Sequence, residues 1–210
     1  MKKSSVVSII FLIIIYSVGI FGLLNETLRP KLLPLSFFNL LLTAGILLAF
    51  HKRTNQYFVY WSLIVFLSGY LLELLGVKTG FPFGNYQYSE NLGVRLFDVP
   101  LIIGVNWLML LYVCLSLTQR FFKQNVYVVL FAALSMMLLD VVIEPAAVKL
   151  NFWQWQNQII PLKNYISWFV ISGLLGALAI RLKLRFDNPL ALPVLVLLFA
   201  FFSVMAFFYH

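Results

Sequence analysis

The chain has 210 residues, 62% of them hydrophobic and 10% charged, with mean hydropathy +0.96; a soluble domain of this length needs far more polar surface, so the composition describes an integral membrane protein with no stretch left for a separate soluble domain. Its net charge of +8 would suggest nucleic acid in a soluble chain, but the basic residues stand in short clusters between apolar runs, where orientation and lipid head-group contact account for them and no nucleic-acid partner is expected. The single cysteine, Cys114, lies inside an apolar run and excludes an intrachain disulfide or a cysteine metal motif.

Seven apolar segments can each cross a hydrocarbon core about 30 Å thick: Val6 to Leu24, Pro34 to Phe50, Tyr57 to Gly76, Val99 to Thr118, Val126 to Val148, Pro161 to Arg181 and Leu190 to Tyr209. Lipid cannot satisfy a broken backbone ladder, and the segments are too long and too uniformly apolar for barrel strands. The expected fold is therefore an all-α polytopic helical bundle, with residues 1–210 forming one integral membrane domain. Met1-Lys2-Lys3 ahead of the first run resembles a signal peptide, but no small-residue cleavage pattern follows, which reads as a retained first helix. Alternate loops fall on opposite faces. One face carries Lys2, Lys3, Lys52, Arg53, Arg120, Lys123, Arg181, Lys183 and Arg185; the other carries Arg29, Lys31, Lys78, Arg95, Lys149 and Lys163. The positive-inside rule then predicts a multi-pass protein of the cell (inner) membrane with a cytoplasmic amino terminus.

Asp140 and Glu144 stand one helical turn apart on one face of the fifth segment, followed by the aromatic loop Trp153-Gln154-Trp155 and then by Pro161, Asn164 and Trp168. A fainter copy lies upstream. Glu73 to Lys78 matches the spacing of Glu144 to Lys149, Tyr86-Gln87-Tyr88 matches Trp153-Gln154-Trp155, and Pro100 to Trp107 is the same step as Pro161 to Trp168, while Gly69 stands where Asp140 would be. The third and fifth segments run in the same direction. Helices three and four with helices five and six thus form a parallel internal repeat, with Glu73 and Glu144 near the outer ends of their spans and both aromatic loops over one mouth.

A carboxylate within a span costs about 2.5–3.5 kcal/mol at the bilayer centre on insertion scales and marks a functional site by default. Two close carboxyls in a dry site share a proton, which leaves a general acid at neutral pH. Pro145 should end or kink the helix and free nearby carbonyls. The plain alternative is that Asp140 and Glu144 are neutralised by Lys149 or by hydrogen bonds within the bundle. Glu73 could likewise pair with Lys78. Asp98 joins the candidate acids, although an acid just before Val99-Pro100 at the opening of a helix reads most simply as a cap. Tyr86, Tyr88, Trp153 and Trp155 suit an interfacial aromatic belt or the wall of a site. Trp107 and Trp168, two turns into their helices, should point inward or to the interface, and aromatic faces can stabilise a developing cation. Asn106 and Asn164 add polar groups on the same helices.

His51 and His210 are far apart in sequence at loop or terminal positions, which argues against the di-iron or haem centre of a desaturase, hydroxylase or classical ketolase. The last span has no lysine for a retinal Schiff base, and phosphate-binding glycine loops and aspartate-rich magnesium motifs are missing, which argues against a diphosphate substrate. Taken together, Phe83-Gly84-Asn85-Tyr86-Gln87-Tyr88, Val99-Pro100 to Trp107, Asp140 to Glu144-Pro145, Trp153-Gln154-Trp155, and Ile160-Pro161 with Asn164 and Trp168 resemble the membrane carotenoid-biosynthesis family. Its characterised members include carotenoid 1,2-hydratases of the bisanhydrobacterioruberin hydratase and gamma-carotene 1'-hydratase types.

That resemblance implies cofactor-free addition of water to the terminal C1,C2 double bond of an acyclic ψ end group. An acid protonates C2, a shielded tertiary cation forms at C1, and water adds there. Asp140 with Glu144 fits the acid and the water-orienting base, and Trp153, Trp155, Tyr86, Tyr88, Trp107 and Trp168 fit the cation-shielding wall. The partners implied are membrane lipid, a carotenoid entering from the bilayer, water, and other enzymes of the carotenoid pathway. Two rivals use the same residues: a proton-coupled transporter or lipid-binding protein, and an end-group cyclase or isomerase.

Overall fold

The computed structural model describes residues 3–209; Met1, Lys2 and His210, which entered the leader, charge and histidine arguments, lie outside the described residues. The helices in chain order are α1 (Lys3–Leu24), α2 (Arg29–Leu32), α3 (Ser36–Ala49), α4 (Gln56–Thr79), α5 (Ile102–Phe121), α6 (Asn125–Lys149), α7 (Leu162–Arg181) and α8 (Ala191–Phe208). A 3-10 turn at Leu33–Leu35 joins α2 to α3, so that Arg29–Ala49 acts as one span. Among the described residues seven helical segments are thus long and apolar enough to cross a membrane, one for each segment expected. Local chemistry sets their ends. The Asn55 side chain accepts the Phe58 N–H at 2.9 Å to cap α4, and Gly80, at φ 72, closes the other end in the left-handed region that a side chain would strain.

Helix α5 is the core of the bundle, buried almost continuously from Ile102 to Ser116 and in contact with α3, α4, α6, α7 and α8. Its crossing with α4 is close: a Cβ added at Gly104 would lie 2.7 Å from the Phe66 carbonyl oxygen, and one at Gly69 would lie 2.5 Å from Cγ of Trp107. Small residues permit such approach where lipid supplies no hydrophobic drive between helices. By contrast α1 and α8 turn Val7, Ile10, Ile14, Val196 and Phe199 outward.

Four short strands complete the fold among the described residues. β1 (Tyr86–Tyr88) follows α4 and β4 (Trp153–Trp155) follows α6; they pair antiparallel with Tyr86 opposite Trp155, Gln87 opposite Gln154 and Tyr88 opposite Trp153. Asn85 and Gln156 extend this ribbon through Gln156 N–H to Asn85 O at 2.9 Å and a side-chain bond at 2.8 Å. The ribbon closes one face of the bundle, where α4 and α6 end and α5 and α7 begin.

Two expectations need correction. The fourth span does not open at Val99-Pro100. Those residues form β3 (Val99–Pro100) against β2 (Arg95–Leu96), joined through Phe97 and Asp98, both at positive φ (51 and 72), the geometry of a tight hairpin turn. The Leu101 N–H is then taken by Val94 O at 2.9 Å, and the helix starts at Ile102. Asp98 consequently caps nothing; it is exposed and pairs with Lys78 at 2.6 Å. Of the two outcomes expected at Pro145, an end or a kink, α6 does not take the first, in keeping with the span drawn to Val148. It continues a further turn to Lys149, because a proline so near the terminus removes only one ladder donor, and the end is closed by the Leu150 N–H on Ala146 O at 2.8 Å.

Candidate active site

Strand periodicity builds the site from above. Residues i and i+2 of a strand share a face, so Tyr86, Tyr88, Trp153 and Trp155 all project from one side of the ribbon while Gln87 and Gln154 lie exposed on the other. Helical periodicity builds it from below. Asp140 and Glu144 lie on one face of α6, and Glu73 lies on α4, six residues before its end and thus about 9 Å below the ribbon side at about 1.5 Å per residue. All three carboxyls are buried, 4% exposed at Glu73, 1% at Asp140 and 2% at Glu144.

Their partners are neutral donors. Glu73 Oε2 accepts the Tyr86 hydroxyl at 2.5 Å and the Tyr88 hydroxyl at 2.8 Å, and its Oε1 accepts Trp107 Nε1 at 3.0 Å. Glu144 Oε2 accepts Trp153 Nε1 at 3.0 Å and Trp155 Nε1 at 2.7 Å, and its Oε1 accepts Asn164 Nδ2 at 3.3 Å. The same Asn164 amide donates to Asp140 Oδ2 at 2.6 Å. Asp140 Oδ1 is buried with no hydrogen-bond partner, and it alone of the six carboxyl oxygens is so placed. Among the described residues neither lysine that could have neutralised the acids does so: Lys78 is held by Asp98, and Lys149 donates to Ala206 O at 2.8 Å. The three carboxyls thus lie together without a counter-ion among the described residues. Burial first, and the charge of Glu73 second, push the Tyr86 and Tyr88 hydroxyls well above the ordinary phenol range, so both remain donors at neutral pH.

The aromatic side chains therefore act differently from the expected wall of ring faces. The N–H and O–H edges of Tyr86, Tyr88, Trp107, Trp153 and Trp155 are turned onto Glu73 and Glu144, and several faces are used in packing on one another. Trp107 stacks on Trp168 with centroids 4.1 Å apart and planes at 21°, and Tyr86 lies 4.8 Å from Trp155. A pocket of about 20 Å³ remains between the acids and the ribbon, walled by Glu73, Glu144, Asn164, Trp168, Asn106 and Ile103 together with the ribbon aromatics. A space of that size admits about one water molecule. Asp140 does not line it and stands behind Asn164. Asn106 lines it, and its side-chain amide makes no hydrogen bond among the described residues.

Of the residues singled out in the sequence, Glu73, Asp140, Glu144, Tyr86, Tyr88, Asn106, Trp107, Trp153, Trp155, Asn164 and Trp168 converge here, and Asp98 lies apart in its exposed hairpin. Ile103 was missed because an isoleucine in an apolar run carries no signal. His51 lies toward the opposite face, stacked 3.8 Å from Phe58 with Nδ1 2.9 Å from the Tyr112 hydroxyl.

Donor chemistry separates the two glutamates. Phenol hydroxyls can turn and accept from an amide, and Tyr86 has the Glu73 carbonyl as a second acceptor at 3.3 Å, so Glu73→Gln should cost no more than about 1 kcal/mol. Indole N–H groups cannot reverse. In Glu144→Gln the new amide N–H₂ must face the indoles or force Asn164 to turn over and release Asp140, and the expected loss is about 1–3 kcal/mol. Thermal unfolding midpoints in detergent check the order; equal losses would remove the distinction.

Residues 37–210 match the family model described as carotenoid biosynthesis protein. The bisanhydrobacterioruberin hydratase of Haloarcula japonica is 34% identical over 148 residues, which cover 62% of this chain and 50% of that protein, so the chain spans about half the length of the curated relative it matches. No solved structure matches.

Proposed function

The chain belongs to the carotenoid biosynthesis protein family, and from that premise we propose that it is a carotenoid hydratase, adding water across the terminal C1,C2 double bond of an acyclic ψ end group to give a tertiary alcohol. The observation that carries this reading is the unpartnered, buried Asp140 Oδ1 beside a shell in which every other carboxyl oxygen is held by a donor. A carboxyl with an unclaimed oxygen can hold a proton and release it to carbon. Glu73, fixed by two O–H donors and one N–H, and Glu144, fixed by N–H donors alone, present negative charge to the pocket.

In the proposed reaction Asp140 protonates C2, with the Asn164 side chain turning aside to expose it. The tertiary cation at C1 is stabilised by the Glu73 and Glu144 carboxylates and by the face of Trp168. A water in the pocket adds at C1, the proton it loses passes to Glu144, and its return from Glu144 to Asp140 restores the acid, so the sum is the addition of one water. No cofactor takes part. The two halves, Glu73 to Trp107 and Asp140 to Trp168, are read as one duplicated unit, with the second half carrying the acid. The protein lies in the cell membrane with its amino terminus in the cytoplasm, its carotenoid comes from the bilayer, and pathway enzymes supply it.

The helices beyond the acids bury Leu108, Leu111, Leu115, Ala132 and Met136, and their buried hydroxyls Ser116, Thr118 and Ser172 are tied to backbone carbonyls, which supports an enzyme over a proton-coupled transporter. Expression in cells that make lycopene or gamma-carotene is expected to yield a product heavier by one water, read by mass spectrometry. A product of unchanged mass would favour a cyclase or isomerase, and no change in carotenoids would overturn the assignment.

A further inference from the structure

A second cavity, of about 60 Å³, lies beside the acid pocket between α1, α3, α5, α6 and α8, and Ile103, Asn106 and Trp153 form walls of both. Its remaining surface is largely apolar, with Leu198 and Phe201 of α8 and Ile143 of α6 buried around it and Leu40 of α3 and Phe202 of α8 half-buried on its outer side. Just beyond these, Leu41, Leu42 and Phe199 are exposed.

Three observations decide what this space is for. The acid pocket is the size of one water and cannot contain an isoprenoid end, so whatever carries the reacting double bond must be held by what adjoins that pocket. The adjoining cavity is largely apolar, its polar lining besides Asn106 being the uncharged Tyr16, Ser36 and Asn39, and it is partly bordered by half-buried, lipid-side residues, which suits a slim hydrocarbon and leaves a charged head group without a counter-charge. Its shared wall carries the Asn106 amide, which has no hydrogen-bond partner among the described residues and can meet a water or a product hydroxyl where the two spaces join.

We propose that this cavity binds the terminal segment of a linear polyene, entering from the bilayer past Leu40 and Phe202, and that Ile103, Asn106 and Trp153 are the threshold across which its last double bond reaches the acids. The inference rests on the hydratase reading. It makes Asn106 a positioning residue for the hydroxyl end, and it makes the α8 wall, which lines this cavity and not the acid pocket, a determinant of substrate binding.

The test uses the full chain purified in mild detergent from lycopene-producing cells, in the Asp140→Asn background so that bound polyene is not consumed. Lycopene per protein is read by absorbance, and co-purified phospholipid by mass spectrometry. Leu198→Phe, and separately Leu40→Phe on the half-buried side where added volume is better tolerated, should each lower bound lycopene several-fold while elution stays monodisperse; Lys52→Ala, on the opposite face, should not. Unaltered lycopene in both narrowing variants overturns the site, as does phospholipid replacing lycopene as the molecule whose amount follows them. The two readings fail separately. Wild-type hydration in otherwise active Leu198→Phe and Leu40→Phe proteins overturns the cavity and leaves the hydratase, whereas lycopene bound in the cavity with no hydrated product from the native chain overturns the hydratase and leaves the cavity.

Discussion

Asp140→Asn is expected to lower carotenoid hydration by at least about 100-fold, within the range of about 10²–10⁴ that a positioned general acid contributes, while the protein stays folded. The substitution preserves shape. An asparagine carbonyl can still accept the Asn164 Nδ2 bond that Asp140 Oδ2 now takes at 2.6 Å, and the new amide nitrogen occupies the position of Oδ1, which has no donor facing it. What is lost is the transferable proton. Glu144→Gln is a poorer probe of the same chemistry, because it sets an amide against two indole N–H groups and disturbs the ribbon as well as the acid. Hydrated product per unit of membrane protein, measured alongside elution profile and unfolding midpoint, separates the two effects. Full activity in a folded Asp140→Asn protein would remove Asp140 from the reaction.

The spans were legible because lipid leaves a hydrophobic chain few options: each apolar run had to become a helix, and the structure has one for every run expected. The acid pair was legible for a similar reason, since i and i+4 on a helix share a face whatever surrounds them, and one Asn164 amide reaches both Asp140 and Glu144. The ribbon was only half legible. The Tyr86-Gln87-Tyr88 and Trp153-Gln154-Trp155 periods place the four aromatic rings on one face of their strands, but pairing Tyr86 with Trp155, 69 positions further along the chain, is a tertiary decision. Without that register the orientation of the indole and phenol edges could not be read, so ring faces were expected where N–H and O–H groups are found. Asp98 shows the opposite limit. Its local sequence favours a helix cap, and the pairing of Leu96 with Val99 overrides it. No sequence pattern reports a shared cavity wall, which is why Ile103 passed unnoticed while Asn106, a polar residue in an apolar run, did not.

Gly69, which stands in the sequence where the spacing around Glu144 puts Asp140, leads to the second large effect. Asp140 occupies the matching position on α6, yet on α4 a side chain has no room: a Cβ at Gly69 would fall 2.5 Å from Trp107 Cγ and 2.6 Å from Trp107 Cβ. The base of the Trp107 side chain, near its backbone, makes those contacts, so Gly69→Ala cannot be relieved by a small turn of the ring. Trp107 must move, and it then loses its 3.0 Å bond to Glu73 and its 4.1 Å stack on Trp168. Gly104→Ala is the sharper test of the same crossing, because its Cβ would meet the Phe66 carbonyl oxygen at 2.7 Å, and backbone cannot rotate away. Overpacking of this kind costs about 1–3 kcal/mol, and the unfolding midpoint in detergent should fall for both variants, further for Gly104→Ala. Activity should part from stability at Gly69. Displacing Trp107 disturbs Glu73 and Trp168 together, so Gly69→Ala is expected to lose hydration at temperatures where the protein remains folded, whereas Gly76→Ala, which crowds only the Tyr86 hydroxyl at 2.7 Å and the side chain of Phe83 at 3.1 Å, should lose less. A Gly69→Ala protein with an unshifted midpoint and undiminished turnover would mean that α4 and α5 can separate there at no cost, and that the Trp107 to Glu73 bond is not needed for the reaction.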